Sequence, residues 1–288
     1  MFPTTHGVFP PLNEGDGLGW VAGTVARRCP GDWQTRGMAR RTPTGPPPPP
    51  VVQRLRVHYA KRGRLRFSSH RDFARAFERA LRRAEIPMGY SAGFSPHPKI
   101  SYVGAAPTGV ASEAEYLEIG VARECDPEIV RGLLDQALPD GLDIVEVLPA
   151  GPGSLAERMQ ASQWRLELPG VSPERAAASV AGLLASEQVN VERRTKDGVR
   201  TVDARAAIVS AVVRPTVETE GRAILDLVVR QAIPAVRPDD VLAALRIVDG
   251  LALAAPLVAV RLAQGPLDET GTVSDPLAPD RPGARTAP

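Results

Sequence analysis

A chain of 288 residues with 43% apolar content is long enough for two ordinary domains, each with its own core. A formal net charge of +2 excludes a uniformly basic nucleic-acid coat, so attraction to a polyanion has to come from local clustering. Two cysteines, Cys29 and Cys125, with no CxxC pair and no three-cysteine cluster motif, exclude a disulfide framework, a zinc ribbon and an iron–sulfur cluster ligated within this chain. Only Lys61, Lys99 and Lys196 among the 35 basic residues are lysine, a bias that GC-rich codon usage explains beside the heavy use of Ala, Pro and Gly. The stretch Leu251–Val260 is too short for a membrane span and contains Pro256, and the N-terminus lacks the basic-then-apolar order of a secretory signal. The expectation is a cytoplasmic protein with no membrane contact, no metal and no cofactor.

Residues 1–51 mix Pro, Gly, Thr and scattered charge without periodicity and end in the five-proline run Pro46–Pro50, which predicts a disordered segment with an extended linker. Met38 opens Met-Ala-Arg-Arg and is an alternative translation start, in which case residues 1–37 are not made. From residue 52 the pattern becomes periodic. Leu55, Val57 and Tyr59 alternate with Arg56 and His58, predicting a half-buried strand that continues past Gly63 to Phe67. Ser69 with Asp72 three residues on caps a helix to about Ala84, whose Phe73, Phe77, Ala80, Leu81 and Ala84 form one apolar face. Strands follow at Ile100–Val103 and around Tyr116–Ile119, then a helix from Asp126-Pro127 through Leu138 and a strand from Leu142 to Val147. This β-α-β-β-α-β order predicts a ferredoxin-like module over 52–150.

The second half reads the same way. Trp164–Leu168 is a strand, and Ser172-Pro173-Glu174 opens a helix to about Ala185. Lys196-Asp197-Gly198 turns a hairpin between Val189–Val191 and Val199–Val202. Strands at Ile208–Val213 and Ile224–Val229, a helix from Pro238 through Leu245 and a strand at Leu257–Leu262 complete a second module over 151–265. Residues 266–288 are poor in apolar side chains and read as a disordered tail. The fold class expected is α+β, two tandem ferredoxin-like (βαββαβ) modules between disordered tails.

Charge gives the strongest local signal. Between Arg54 and Arg83 stand eleven basic residues against two acids, Asp72 and Glu78. On the helix, Arg71, Arg75, Arg79 and Arg82 follow i, i+4, i+8, i+11 spacing and form one stripe with neighbours about 5–6 Å apart, opposite the apolar face. Such a stripe suits a nucleic-acid backbone; the plainer reading is a solvated face matched by acids from elsewhere. The second signal is the loop Gly89–Lys99, where two glycines permit unusual backbone angles and Pro96 and Pro98 restrict His97. His97 and Lys99 would offer an imidazole and an ammonium, and Tyr90 and Phe94 stacking surfaces, for a phosphate, a base or general acid–base chemistry. The plainer reading is a structural loop whose aromatics fill the core. His70, next to the Ser69 cap, is a helix-start residue or a second functional imidazole, and His58 points to the opposite sheet face. The hairpin Arg193–Arg200, followed by Asp203, is a groove probe or simply an exposed turn.

At these residues the sequence resembles a known family. The runs Arg66-Phe67-Ser68-Ser69-His70-Arg71-Asp72, Phe77-Glu78-Arg79-Ala80-Leu81-Arg82-Arg83 and Tyr90 to Ser101, with Gly109-Val110-Ala111-Ser112 and Glu115-Tyr116, resemble the radical-SAM-linked protein family. The resemblance runs from about Val52 to Leu262. It departs at Ala105-Ala106-Pro107-Thr108, where the family more usually has leucines around the proline. It implies an accessory role beside a separately encoded radical SAM enzyme and adds no catalytic residue. Tandem ferredoxin-like modules with a basic face are also similar to RNA-processing proteins of the repeat-associated type, by fold analogy alone. Three readings therefore stand. The first is an RNA-binding accessory protein acting with a radical SAM enzyme in tRNA or rRNA modification or processing, with Arg71, Arg75, Arg79, Arg82, Tyr90, Phe94 and Lys99 on the RNA. The second is metal-independent RNA cleavage by His97 or His70 with Lys99 or an arginine. The third is a protein–protein scaffold docking an acidic partner.

Overall fold

The computed structural model describes residues 48–195, 198–215 and 221–283. The expectations for residues 1–47, including the start at Met38, lie outside them, as do Lys196-Asp197 in the hairpin turn. The fold class is α+β: a mostly antiparallel sheet with five helices among the described residues.

The first half contains β1 (Gln53–Lys61), α1 (His70–Arg83), β2 (Ile100–Val103), β3 (Ala111–Val121), α2 (Pro127–Ala137) and β4 (Leu142–Pro149). β1 lies between β4 and β3, and the short β2 pairs with β3 through Ile100↔Ile119 to Val103↔Tyr116. The second half contains β5 (Ala161–Pro169), α3 (Pro173–Ala185), β6 (Asn190–Thr195), β7 (Gly198–Asp203), α4 (Ala204–Ala207), β8 (Ile208–Arg214), β9 (Arg222–Arg230), α5 (Pro238–Asp249) and β10 (Val258–Gly265). Its sheet order is β10-β5-β9-β8, with β6–β7 a separate hairpin.

Local chemistry explains the helix starts. Ser69 Oγ accepts the Asp72 N–H, and Asp72 Oδ2 accepts the Ser69 N–H, each at 3.2 Å, so two otherwise orphaned donors of α1 are satisfied reciprocally. Asp126 and Ser172 accept first-turn N–H groups of α2 and α3, each with proline at the first position, where no N–H is needed. α1 ends with Glu85 at φ 51 and the Ile86 N–H donating to Leu81 O, a left-handed stop that turns the chain toward the next loop.

Each half buries its apolar face under its own helices. Leu55, Val57 and Tyr59 of β1 pack with Phe73, Phe77 and Leu81 of α1 and Leu134 of α2. Trp164, Leu166 and Leu168 of β5 pack with Val180 and Leu183 of α3 and Val241 and Leu245 of α5.

Three expectations are corrected. The two halves are not separate sheets: β10 runs parallel to β3 through Val260↔Ala111 and Arg261↔Ser112, making one eight-stranded sheet. β2 covers the outer edge of β3 only at Tyr116–Ile119, and β10 pairs with it further along, at Ala111 and Ser112. Residues Gly63–Phe67 form a 3-10 turn instead of extending β1; Gly63 adopts φ 54 and the Arg62 N–H donates to Gly141 O at 2.8 Å.

The third correction concerns the tail. Residues 266–283 pack on the sheet face opposite the helices, where Leu277 is fully buried with Val103, Tyr116, Leu155 and Met159. Asp280 ion-pairs with Arg56 at 2.7 Å and Arg158 at 2.8 Å. Low apolar content misled here because one leucine and one carboxylate suffice when the receiving surface already carries buried arginines.

Candidate nucleic-acid interface

The basic window divides by element. On the sheet its charges are matched: Arg54 and Arg56 pair with Glu118, Arg56 also with Asp280, and Arg62 with Glu113 and Asp143. Arg56 is only 1% exposed and Lys61 is buried, so neither contributes to a surface. The charge seen in the linear window therefore overstates the face, because the basic side chains of β1 and of Arg62 just beyond it meet carboxylates from distant parts of the chain.

On α1 the outcome differs. Arg71, Arg75, Arg79 and Arg82 are all exposed, because Phe73, Phe77, Ala80 and Leu81 turn the opposite side into the core. Arg82 lies 3.9 Å from Glu78 one turn back and donates Nε–H to Glu78 O. Arg71, Arg75 and Arg79 make no ion pair among the described residues. Hydrogen bonds from Ser69 hold the Asp72 carboxyl below its usual range, and Arg75 adds to this.

The Gly89–Lys99 loop is pinned at its base. Gly89 N–H donates to Gly120 O at 2.7 Å and Lys99 N–H to Gly89 O at 2.8 Å. A Cβ at Gly89 would meet Val51 Cγ2 at 2.8 Å and Gly120 O at 3.2 Å, so a side chain there would have to displace Val51. Higher up, the Ser91 N–H donates to His97 O at 2.9 Å and the His97 N–H to Ser91 Oγ at 3.0 Å. Tyr90 bridges to Pro98.

Between this loop and the end of α1 lies a cleft of about 130 Å³ lined by Glu78, Arg82, Met88, Tyr90, His97 and Pro98 among others. Arg82, Tyr90 and His97 thus come together. The other candidates stand apart. Lys99 lines a different depression with Arg54 and Glu118. Phe94 is 70% exposed on the loop and does not line the cleft. His70 packs edge-on against Tyr102, ring centroids 4.8 Å apart, at the other end of α1. The Tyr102 hydroxyl is buried without a hydrogen-bond partner among the described residues, and burial raises its pKa. His58 stacks on Tyr116 at 4.7 Å and its Nε2 meets Glu113 O at 2.7 Å.

The β6–β7 hairpin is anchored: Arg193 pairs with Asp240 of α5 at 2.7 Å and donates to Ala235 O, while Asp203 caps α4. Sequence reasoning missed Glu78 as a cleft residue and a buried ionic cluster at the join between the halves. There Arg261 ion-pairs with Glu115, with Ser112 and Gln264 as further partners and Lys61 close by. A lone arginine inside the apolar run Leu257–Leu262 was the available signal.

Among the described residues, no helix is long and apolar enough to cross a membrane, and no group of three or more His, Cys, Asp or Glu side chains is placed to hold a metal. Fold and site together define an α+β protein with one extended, mostly antiparallel sheet and an exposed arginine helix beside a histidine cleft. The chain belongs to the family described as uncharacterized protein conserved in bacteria (DUF2344), whose model matches residues 54–238. No curated protein matches the sequence. A solved structure, "Crystal Structure of a Cbf5-Nop10-Gar1 Complex", is similar at TM-score 0.38 and 12% identity over 73% of this chain and 49% of that one. The chain thus spans about half the length of that neighbour.

Proposed function

We propose that this protein binds RNA and presents it to a partner enzyme, with the α1 arginines on the phosphates and the His97 cleft engaging a nucleotide or the partner. One observation carries this reading: Arg71, Arg75, Arg79 and Arg82 share one solvent-facing side of a helix, three of them with no ion pair among the described residues, and the fourth flanks the cleft. Unpaired guanidiniums in a row suit an RNA backbone, because their planar forks match phosphate oxygens and carry their charge at every physiological pH. Tyr90 in the cleft supplies a face on which a base can stack. The resemblance to the radical-SAM-linked family supplies the partner class, a separately encoded radical SAM enzyme acting on tRNA or rRNA. The orders β4-β1-β3-β2 and β10-β5-β9-β8 support reading the halves as two ferredoxin-like units, the second with the β6–β7 hairpin inserted.

With four phosphates neutralised, the log–log salt dependence of RNA affinity is expected to have a slope of about −3 to −4. Replacing Arg71, Arg75 and Arg79 together by glutamine should reduce the slope to about −1. Filter binding over a salt series measures both, and a slope that does not change in the variant would end the proposal. Binding to a partner protein that survives nuclease treatment, with no affinity for RNA, would favour the scaffold reading.

The presence of His97 beside Arg82 and Tyr90 keeps a second reading, metal-independent RNA cleavage, in which the imidazole moves the proton and Arg82 stabilises the charged transition state. Under it, His97→Ala should lower cleavage of labelled cellular RNA by about 10²-fold or more. Equal activity of the two proteins, or none in either, would remove it.

A further inference from the structure

A second cavity lies where the halves join, away from α1. It has a volume of about 200 Å³, and its lining includes Trp164, Arg230, Gln231, Arg237, Arg261 and Gln264, with no Asp or Glu. We infer that this cavity is a binding site for a phosphate monoester, held by Arg230 and Arg237 at the rim above a floor fixed by Arg261 and Gln264. This inference does not rest on the α1 reading.

The floor is built rigidly. Arg261 is 3% exposed and donates to Ser112 Oγ at 3.2 Å and Gly104 O at 2.6 Å; it also pairs with Glu115. Gln264, equally buried, accepts from Arg261 at 3.2 Å through Oε1 and donates to Ala114 O at 2.7 Å. The Arg261 guanidinium lies 5.5 Å from the Trp164 ring centroid, which holds both planes in place. A polar floor whose rotamers are locked by such a network needs no rearrangement to receive a ligand.

The charge of the surroundings selects the ligand. Glu115 pairs with Arg261 and also faces Lys61, whose buried ammonium donates to Pro107 O at 3.4 Å. The Asp240 carboxylate, three residues beyond Arg237, is engaged by Arg193 at 2.7 Å and by the Arg237 backbone N–H. Arg230 and Arg237 are exposed, and their guanidiniums make no ion pair or hydrogen bond among the described residues. Two unopposed guanidiniums at one mouth match a dianion better than a singly charged carboxylate, and guanidinium forks bind phosphate oxygens in pairs. The apolar wall of Trp164, Val229 and Val236 then takes the organic part of the ester.

Two sources share this chemistry, a free phosphate ester and the 5′-phosphate end of an RNA. Calorimetric titration of the full chain with adenosine 5′-monophosphate, inorganic phosphate and adenosine tests the first. A 5′-phosphorylated oligonucleotide against its 5′-hydroxyl twin, measured in the Arg71/Arg75/Arg79→Gln background, tests the second. Expected is one saturable site for at least one phosphorylated probe and no binding of adenosine. The double variant Arg230→Gln/Arg237→Gln should weaken that site at least tenfold, with the melting temperature of the exposed-site variant unchanged. The α1 triple variant should leave the monophosphate affinity intact. No saturable binding by any phosphorylated probe, or binding that the Arg230/Arg237 variant leaves unaltered, overturns the assignment.

Discussion

Replacing Asp280 by alanine is expected to destabilise the protein by about 3–5 kcal/mol, measured as a shift of the urea unfolding midpoint at constant slope. Asp280 has a fully buried side chain and accepts from Arg56 at 2.7 and 2.8 Å, from Arg158 at 2.8 and 3.2 Å, and from the Gly151 N–H at 3.0 Å. Truncation leaves the Arg56 guanidinium inside the protein with Glu118 at 3.3 Å as its remaining carboxylate, and two carbonyls. The same substitution releases the segment that places Leu277 against Tyr116 and Met159, so apolar burial is lost as well. Asp280→Asn keeps the shape and removes the charge, and its loss should be smaller.

The pH dependence has a definite sign. Burial by itself would raise the Asp280 pKa, but hydrogen bonds from Arg158 and Arg56 overcome this and hold it below the ordinary aspartate value. A carboxyl depressed in the folded state contributes stability that is full above its unfolded pKa of about 3.9 and is lost as pH falls through the folded one. Wild type should therefore lose stability more steeply than Asp280→Asn below about pH 4. Parallel curves would show that the ion pairs contribute nothing.

Substituting Glu115 by alanine is expected to cost about 3–5 kcal/mol, and more than substituting Arg261 by methionine. Glu115 is 2% exposed and is the carboxylate that faces both Arg261 and Lys61; its Oε2 also accepts the Ala106 N–H at 3.1 Å. Without it two buried cations face each other unopposed. Without Arg261 the Glu115 charge still has Lys61 beside it, and methionine refills much of the space, so about 1–3 kcal/mol is expected. The double variant Glu115→Ala/Arg261→Met should cost less than the sum of the two single losses, because the ion pair they share is lost once and no Arg261 charge is left stranded. Burial already holds the Lys61 ammonium below the usual lysine range. The unfolded chain therefore binds a proton that the folded one holds less tightly, and stability of Glu115→Ala should rise with pH toward 10. A loss under about 1 kcal/mol for Glu115→Ala would show that water relieves this cluster.

The α1 stripe was legible in the linear sequence because its determinants lie within one helix. Ser69 and Asp72 set the start, Phe73, Phe77 and Leu81 set the buried side, and the arginines at four-residue spacing follow on the other. The Gly89–Lys99 loop was legible as a constrained turn, but not which of its side chains meet. Tyr90 and His97 join Arg82 from beyond the end of its helix, whereas Lys99, two positions from His97, faces elsewhere. Alternation on β1 marked Arg56 as pointing away from the helices and left open what lay there; Asp280, 224 residues downstream, supplies the answer.

Capping pairs, helical and strand periodicity and turn residues act between neighbours a few positions apart, so the amino-acid string alone placed α1, most strand cores and the basic helix face. The union of the halves through β10 and β3, the packing of residues 266–283 and the Lys61–Glu115–Arg261 cluster depend on partners far apart in the chain, up to 224 residues for Arg56 and Asp280. The physical reason is that a buried charge is tolerable only beside its counter-charge and a strand edge only when covered, and both conditions are met in space.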